Sequence, residues 1–192
     1  PTEFYKQSKQ LMESGYSLDF ISDDMISKSQ VSKGLIQTSA QNSAKVLIIP
    51  ETELMPIETL QNILKLAENG ANVIFQSKPK SIPGYHADQE SKESAFNQLW
   101  GSIAFERGKS NVGKGEIYLS SDLSKTLGEL EIYREKLVDS GLNFIRRKVA
   151  DGTYYFLVNH SATTISQTIS LNTKAGTVMA MDPLTGKRGT IS

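Results

Sequence analysis

The sequence contains no cysteine among its 192 residues, and tryptophan occurs once. The absence of cysteine excludes disulfides, thiolate metal ligands and cysteine nucleophiles together. An excess of charge is also missing, because 21 lysine and arginine residues balance 21 aspartate and glutamate residues. A neutral chain supplies no field that would concentrate nucleic acid or anionic lipid, so neither is expected as a partner.

Long apolar runs are absent as well. No segment approaches the roughly 20 apolar residues that cross a bilayer, so membrane insertion is not expected. The hydrophobic share of 38% is that of an ordinary globular protein with a buried core. The chain begins at Pro1 without an initiator methionine or a secretory leader, and we therefore expect it to be a segment of a longer polypeptide.

The clearest pattern lies in residues 45–75. The aliphatic run Val46–Ile49 predicts an interior strand of a parallel sheet, covered on both faces. Pro56 then opens a helical stripe that ends at Gly70 and consists of Ile57, Leu60, Ile63, Leu64 and Ala67. With a second strand at Asn72–Phe75, the segment predicts a strand-helix-strand unit with parallel strands.

Shorter patterns extend this alternation. We expect strands at 18–21, 35–38 and 116–119, and helices at 3–14, 92–100 and 122–133. Alternating strands and helices are typical of an open sheet with helices on its faces. The sequence thus predicts an α/β, flavodoxin-like three-layer domain over residues 1–140.

After Gly141 the helical signals stop. Strands are expected at 142–150 and 153–159 around an Asp151-Gly152 turn, then at 166–171 and 177–181. Residues 141–192 therefore form a C-terminal antiparallel β extension, which we expect to belong to a β-sandwich.

Residues 108–114 match the glycine and lysine spacing of a phosphate-binding loop, with Gly108, Gly113 and Lys114 at the required positions. The motif needs Ser or Thr after the lysine and a helix after the loop, whereas Gly115 follows here and leads into a strand. A glycine-rich surface loop is the better interpretation, and no cofactor is expected.

A nucleophile in this fold class would occupy the turn after a central strand, where Ser77 lies. The turn lacks flanking glycines and is followed by Pro79, which favours polar capping by Ser77. His86 and His160 are the only imidazoles, so a hydrolase built on Ser77 and His86 remains an alternative.

Carboxylates gather near the predicted ends of two strands, where open α/β sheets usually bind ligands. They are Asp19, Asp23, Asp24, Glu51 and Glu53. Either they hold a sugar or a cation, or they cap helices and lie in solvated turns, and the second reading is favoured. No catalytic carboxylate pair and no metal site is assigned. In the loop predicted for residues 76–91, Tyr85 and His86 are candidates for stacking on a sugar ring.

Four segments together resemble a known family: residues 15–26 (GYSLDFISDDMI), 45–75, 153–161 (TYYFLVNHS) and 181–187 (MDPLTGK). In this order they resemble the region that follows the catalytic barrel in bacterial α-L-rhamnosidases of glycoside hydrolase family 106. The resemblance spans roughly residues 11–186, and the Asp182-Pro183-Leu184-Thr185-Gly186 phrase is its most particular part.

The resemblance implies a class I glutamine-amidotransferase-like domain without amidotransferase activity, followed by the start of a β-sandwich. No family catalytic residue maps onto this chain, because the acid and base of these enzymes belong to the barrel. It further implies a non-catalytic accessory role in a carbohydrate-degrading enzyme, periplasmic or extracellular. The expected partners are the catalytic barrel of the parent chain, carbohydrate, or a second copy. The alternatives are a carbohydrate-binding module that uses the acidic strand ends or the loop, and a free-standing serine hydrolase.

Overall fold

The computed structural model of the chain describes residues 2–39, 42–84 and 87–191. It is a mixed α/β structure with four small sheets, divided into two units. The first unit comprises the residues up to Ser8 together with Asp19–Ile132, and the second comprises Lys9–Leu18 and the chain from Tyr133 onward.

Up to residue 132 the described chain runs through two short helices, four short strands, and then three helices separated by one or two strands, so helices and strands do not strictly alternate. The helices are α1 (Glu3–Glu13), which contributes to both units, α2 (Asp23–Lys28), α3 (Ile57–Glu68), α4 (Gln89–Gly101) and α5 (Leu123–Glu129). The strands are β1 (Gln30–Ser32), β2 (Leu35–Gln37), β3 (Ser43–Ala44), β4 (Val46–Ile49), β5 (Asn72–Phe75), β6 (Lys109–Val112) and β7 (Gly115–Leu119).

The main sheet has the order β4-β5-β7-β6, in which β4, β5 and β7 are parallel and β6 is antiparallel to β7. The expectation that Val46–Ile49 is an interior strand was wrong, because β4 pairs with β5 alone within this sheet and forms its edge. The interior positions belong to β5 and β7, and Val73, Ile74 and Phe75 are completely buried. An aliphatic run shows that a strand is buried, but it does not show how many neighbours the strand has.

Helix α3 forms as its apolar stripe predicts. Leu60, Ile63 and Ala67 are fully buried on one side of the helix. The helix ends in a Schellman motif, in which Gly70 N–H donates to the Ala67 carbonyl and Ala71 N–H donates to the Leu66 carbonyl. Gly70 has a φ of +110°, a conformation that glycine adopts without strain.

The glycine-rich stretch before β7 is a β-hairpin, since β6 and β7 pair antiparallel with Val112 opposite Gly115. The chain therefore enters the segment from one strand and leaves it by another, which is incompatible with a phosphate-binding loop. A Cβ atom at Gly115 would lie 2.2 Å from the Ala71 carbonyl oxygen, so this position requires glycine. Strand β6 was not anticipated, because Lys109–Val112 contains a single apolar residue.

The expected strand at 18–21 is absent and the segment is irregular. Phe20 is 58% exposed and packs against Phe4, with 5.1 Å between the ring centroids. Apolar residues alone do not form a strand when no neighbouring strand offers its backbone groups.

The second unit contains a 3₁₀ turn (Lys136–Ser140) and two hairpins. The first hairpin pairs β8 (Leu142–Val149) with β9 (Gly152–Asn159). Because Val149 faces Gly152, the turn residues are Ala150 and Asp151, one position earlier than expected. The second pairs β10 (Val178–Met181) with β11 (Arg188–Ile191), whereas residues 166–171 form no strand.

Candidate functional site

The carboxyl edge of β4, β5 and β7 is where the sequence placed most of the candidate residues. Strands β4 and β5 are in register, with Ile49 opposite Phe75, so Glu51 and Ser77 leave the sheet at the same edge. Backbone bonds close this edge: Gln76 N–H donates to the Ile49 carbonyl and Ser120 N–H to the Phe75 carbonyl. Glu51 is exposed and Ser77 is half-buried.

Ser77 is not activated by any residue that the structure describes, because its hydroxyl takes part in no hydrogen bond there. Its proposed partner His86 and the neighbouring Tyr85 lie outside the described residues. His160 is exposed and follows β9 in the second unit.

Asp23 is the first residue of helix α2 and is exposed. Ser22 caps this helix by accepting a hydrogen bond of 3.3 Å from Met25 N–H. A carboxylate in the first turn stabilises the positive end of the helix dipole. The position of Asp23 agrees with the capping interpretation of the acidic residues.

The loops after β4 and β5 are held together by a ladder of backbone bonds. Met55 N–H donates to the Ser81 carbonyl over 3.0 Å, and Lys80 N–H donates to the Glu53 carbonyl over 2.8 Å. The Lys80 ammonium also donates to the Glu53 carboxylate, which lowers the pKa of Glu53. This exposed carboxylate therefore serves in a loop-to-loop ion pair.

Ser81 connects the same loop to the start of α4. Its hydroxyl donates to Glu93 Oε1 over 2.6 Å, and the Gln89 amide donates to the same oxygen over 2.9 Å. The Ser81 bond and, second, the Gln89 bond lower the pKa of Glu93. The serine acts as a donor to a carboxylate, an arrangement that positions α4 and does not make a nucleophile.

A second polar cluster lies on the β6–β7 hairpin. Glu116 accepts from Lys109 over 2.7 Å and from the Tyr118 hydroxyl over 2.6 Å. The Lys109 bond is the larger reason that the pKa of Glu116 is lowered, and burial raises the pKa of Tyr118. A shallow groove of about 330 Å³ lies alongside, lined by Ala104, Glu106, Lys109, Ser110 and Asn111.

The most deeply buried carboxylate is Glu135, in the second unit, which is 1% exposed. Its Oε1 accepts from Arg146 and from the Tyr155 hydroxyl, each over 2.7 Å, and its Oε2 accepts from Asn172 N–H over 2.8 Å. Its own N–H donates to the Gly15 carbonyl over 2.8 Å. We call these five residues the Glu135 cluster.

In the Glu135 cluster, the hydrogen bonds of the carboxylate are satisfied within the chain. Both carboxylate oxygens are occupied by donors from the chain, and burial is the first cause that raises the pKa of Tyr155, so the phenol stays neutral. Sequence reasoning missed the cluster because its members are far apart in the chain. The only signal was the hairpin register, which sets Arg146 directly across from Tyr155.

Metal and membrane sites were also considered for the described part of the chain. Its histidine, aspartate and glutamate residues form no group of three that could hold a metal ion. None of its helices is long and apolar enough to cross a membrane.

Proteins described as glycosidases are similar to this chain in sequence and in structure. The family model of glycoside hydrolase family 106, described as alpha-L-rhamnosidase, matches residues 1–192. A "Putative beta-glucuronidase" of Formosa agariphila is 31% identical over 149 residues, covering 76% of this chain and 12% of that protein. The rhamnosidase of Novosphingobium sp. PP1Y has a similar structure, with a TM-score of 0.66 and 20% identity over 75% of this chain and 14% of the rhamnosidase. The chain thus spans about one eighth of the length of these relatives.

Proposed function

Because the chain belongs to the α-L-rhamnosidase family, glycoside hydrolase family 106, we propose that it is a non-catalytic accessory part of a longer carbohydrate-degrading glycosidase. One observation carries the proposal: the family model extends over the whole chain, while the chain corresponds to only 14% of the structurally similar rhamnosidase. The main sheet of the described residues has three parallel strands and does not form the eight-stranded barrel to which the resemblance assigns the chemistry, so the chain would be a supporting unit.

The hydrogen bonds and ion pairs of the carboxylates support a non-catalytic role. Glycoside hydrolysis requires two carboxyl groups that face each other across a cleft, one of them free to protonate the leaving group. Here Glu53 and Glu116 are paired with lysines, Glu93 holds Ser81, and Glu135 is enclosed by three donors. Each of these groups already stabilises the fold, which leaves it poorly suited to act on a sugar.

The finer fold assignment belongs to the same proposal. Residues 1–140 would be a flavodoxin-like, amidotransferase-like domain, supported by the parallel strands β4, β5 and β7 with intervening helices. Residues 141–192 would belong to a β-sandwich, supported by two successive antiparallel hairpins. Ser77 follows β5, at the turn where an amidotransferase-like domain would carry its nucleophile, and the chain contains no cysteine for that role.

The proposed partner is the catalytic barrel of the parent enzyme, and the proposed location is the periplasm or the cell exterior. Both follow from the family and from the role of such enzymes on polysaccharides. Glu51, at the carboxyl edge, then acts as a loop residue, and Asp23 acts as the first residue of helix α2.

The test compares the 192-residue chain with the full polypeptide encoded by its reading frame, both assayed on aryl α-L-rhamnosides. We expect turnover by the long polypeptide and none by the chain alone. The variants Ser77→Ala and Glu51→Gln in the long polypeptide should leave kcat unchanged. Hydrolysis by the isolated chain, or labelling of Ser77 by a fluorophosphonate, would overturn the proposal.

A further inference from the structure

Strand β6 forms one edge of the main sheet, and this edge is only partly closed. It pairs with β7 on one side, and no described strand pairs with it on the other. At its start, Glu106 N–H donates to the Lys109 carbonyl over 2.7 Å, and Lys109 N–H donates to the Glu106 carbonyl over 3.0 Å. Backbone groups in an antiparallel pair point alternately to the two sides, so those of Ser110 bond to β7 and those of Asn111 point outward.

The groove of about 330 Å³ described above lies along this open edge, and we call it the β6 groove. Its volume falls at the lower end of the range of about 300–1,000 Å³ that small-molecule sites occupy. All five residues that line it belong to the first unit. The β6 groove therefore has room for one small molecule and is built within a single unit.

Ser110 supplies a second, independent observation. It lines the β6 groove and is only 5% exposed, yet its hydroxyl takes part in no hydrogen bond with the described residues. Its backbone groups bond to β7, so the side chain is the part of Ser110 that can meet a molecule in the groove. Buried hydroxyls normally have a hydrogen-bond partner. A ligand with polar groups would provide one.

The charges around the β6 groove favour a neutral ligand. The Lys109 ammonium is already paired with Glu116 over 2.7 Å. Glu106 is exposed and forms no ion pair with the described residues. The three groups together carry one negative charge in excess, which repels an anionic ligand and leaves the Glu106 carboxylate free to accept hydrogen bonds.

We propose that the β6 groove binds a neutral pyranose ring, of the 6-deoxyhexose class to which rhamnose belongs. This inference rests on the proposed function, which supplies a carbohydrate as the molecule that the parent enzyme meets. Sugar hydroxyls both donate and accept: they donate to the Glu106 carboxylate and accept from the N–H groups of Asn111. The Ser110 hydroxyl gains its missing partner, and the exposed methyl of Ala104 offers an apolar contact to the C6 methyl of the sugar.

An extended peptide fits this edge less well. Strand addition uses the outward N–H and C=O groups of every second residue along an edge. Those of Lys109 are bonded to Glu106, and two residues after Asn111 the chain reaches Gly113, with a φ of +60° in the hairpin turn. Asn111 alone remains to pair with a peptide. One residue is too short a ladder for a strand, whereas a single sugar ring needs no more.

The test is a titration of the ¹⁵N-labelled 192-residue chain with methyl α-L-rhamnopyranoside, followed by NMR. We expect the backbone amides of Ser110 and Asn111 and the side-chain amide of Asn111 to shift in a saturable way. A ligand of about twelve non-hydrogen atoms in an open groove should bind with a Kd of about 1–10 mM.

Two substitutions assign this binding to the β6 groove. Ser110→Ala and Asn111→Ala should each raise the Kd by about threefold to tenfold, the effect of losing one or two hydrogen bonds. Asn143→Ala, which removes another exposed strand asparagine, is the matched control and should leave the Kd unchanged. Ser110→Ala should not lower the melting temperature, because the hydroxyl has no partner to lose among the described residues. A lower melting temperature with an unchanged Kd would make Ser110 structural, against the inference.

The remaining outcomes separate this inference from the proposed function. If the rhamnoside causes no saturable shift at these amides up to about 50 mM, the inference is overturned, and the proposed function, which depends on the turnover assay, is unaffected. Shifts caused by glucuronate or by an extended Thr-Val repeat peptide, and not by the rhamnoside, would also overturn it. Hydrolysis of the rhamnoside during the titration would instead overturn the proposed function.

Discussion

Replacing Glu135 tests the physical account of the second unit most directly. Glu135→Ala removes the acceptor of three donors at once, and breaking a buried ion pair by removing one partner costs about 3–5 kcal/mol. Arg146 keeps 30% of its side chain exposed, so water replaces part of what it loses. We therefore expect the lower end, about 3 kcal/mol. Glu135→Gln keeps one acceptor oxygen but turns an NH₂ group toward Asn172 N–H, at a cost of about 1.5–3 kcal/mol.

Hydrogen exchange of the β8–β9 amides measures this loss within the unit concerned. A loss of about 3 kcal/mol lowers their protection factors by about 100-fold. The control is Asp139→Ala, four residues from Glu135, which breaks the exposed ion pair of Asp139 with Arg134 and should change protection little. A double-mutant cycle of Glu135→Ala with Tyr155→Phe should show coupling of about 0.5–3 kcal/mol. Equal, small effects of Glu135→Ala and Asp139→Ala would refute the reasoning.

Three further substitutions test the first unit. Gly115→Ala pushes a Cβ into the Ala71 carbonyl and should destabilise this unit by about 1–3 kcal/mol in urea denaturation. Gly128→Ala adds a Cβ inside α5 that meets nothing within 4 Å, and it should stabilise the unit by about 0.5–1 kcal/mol. A loss with Gly128→Ala would contradict this account. The pKa of Glu116 is lowered from 4.5, so its pairing with Lys109 adds stability above that pH, and the gain is lost as the pH falls through the lowered value. Glu116→Gln should therefore reduce the acid dependence of the melting temperature below pH 5, and an unaltered profile would argue against the pairing.

The elements that the sequence predicts well are those whose signal is local. Helix α3 is fixed by its apolar spacing and by Gly70, and β5 by four adjacent residues between turn signals. The position of β4 at the sheet edge depends on pairing with distant strands, which no local window contains. Strand β6 is held by its partner β7 and by a glycine turn, although its own residues are mostly polar.

The candidate site residues also divide into those with short-range signals in the sequence and those that depend on long-range contacts. Asp23 and Glu51 were both expected near strand ends. Glu51 follows β4, whereas the strand expected before Asp23 is absent and Asp23 begins helix α2. The Glu135 cluster joins Gly15, Arg146, Tyr155 and Asn172, which are separated by up to 157 positions in the numbering and meet only after the hairpin has formed. Such a network depends on how distant segments meet in the folded protein, and patterns within a single sequence do not show which segments meet.

The packing of Trp100 makes this residue a spectroscopic probe of the first unit. The indole is 5% exposed and meets the Phe75 ring edge-on, with 5.0 Å between the centroids, inside the first unit. Since it is the only tryptophan, its emission follows the melting of that unit and is blind to the other. Excitation at the red edge, where tyrosine does not absorb, therefore reports on the first unit without any engineered dye.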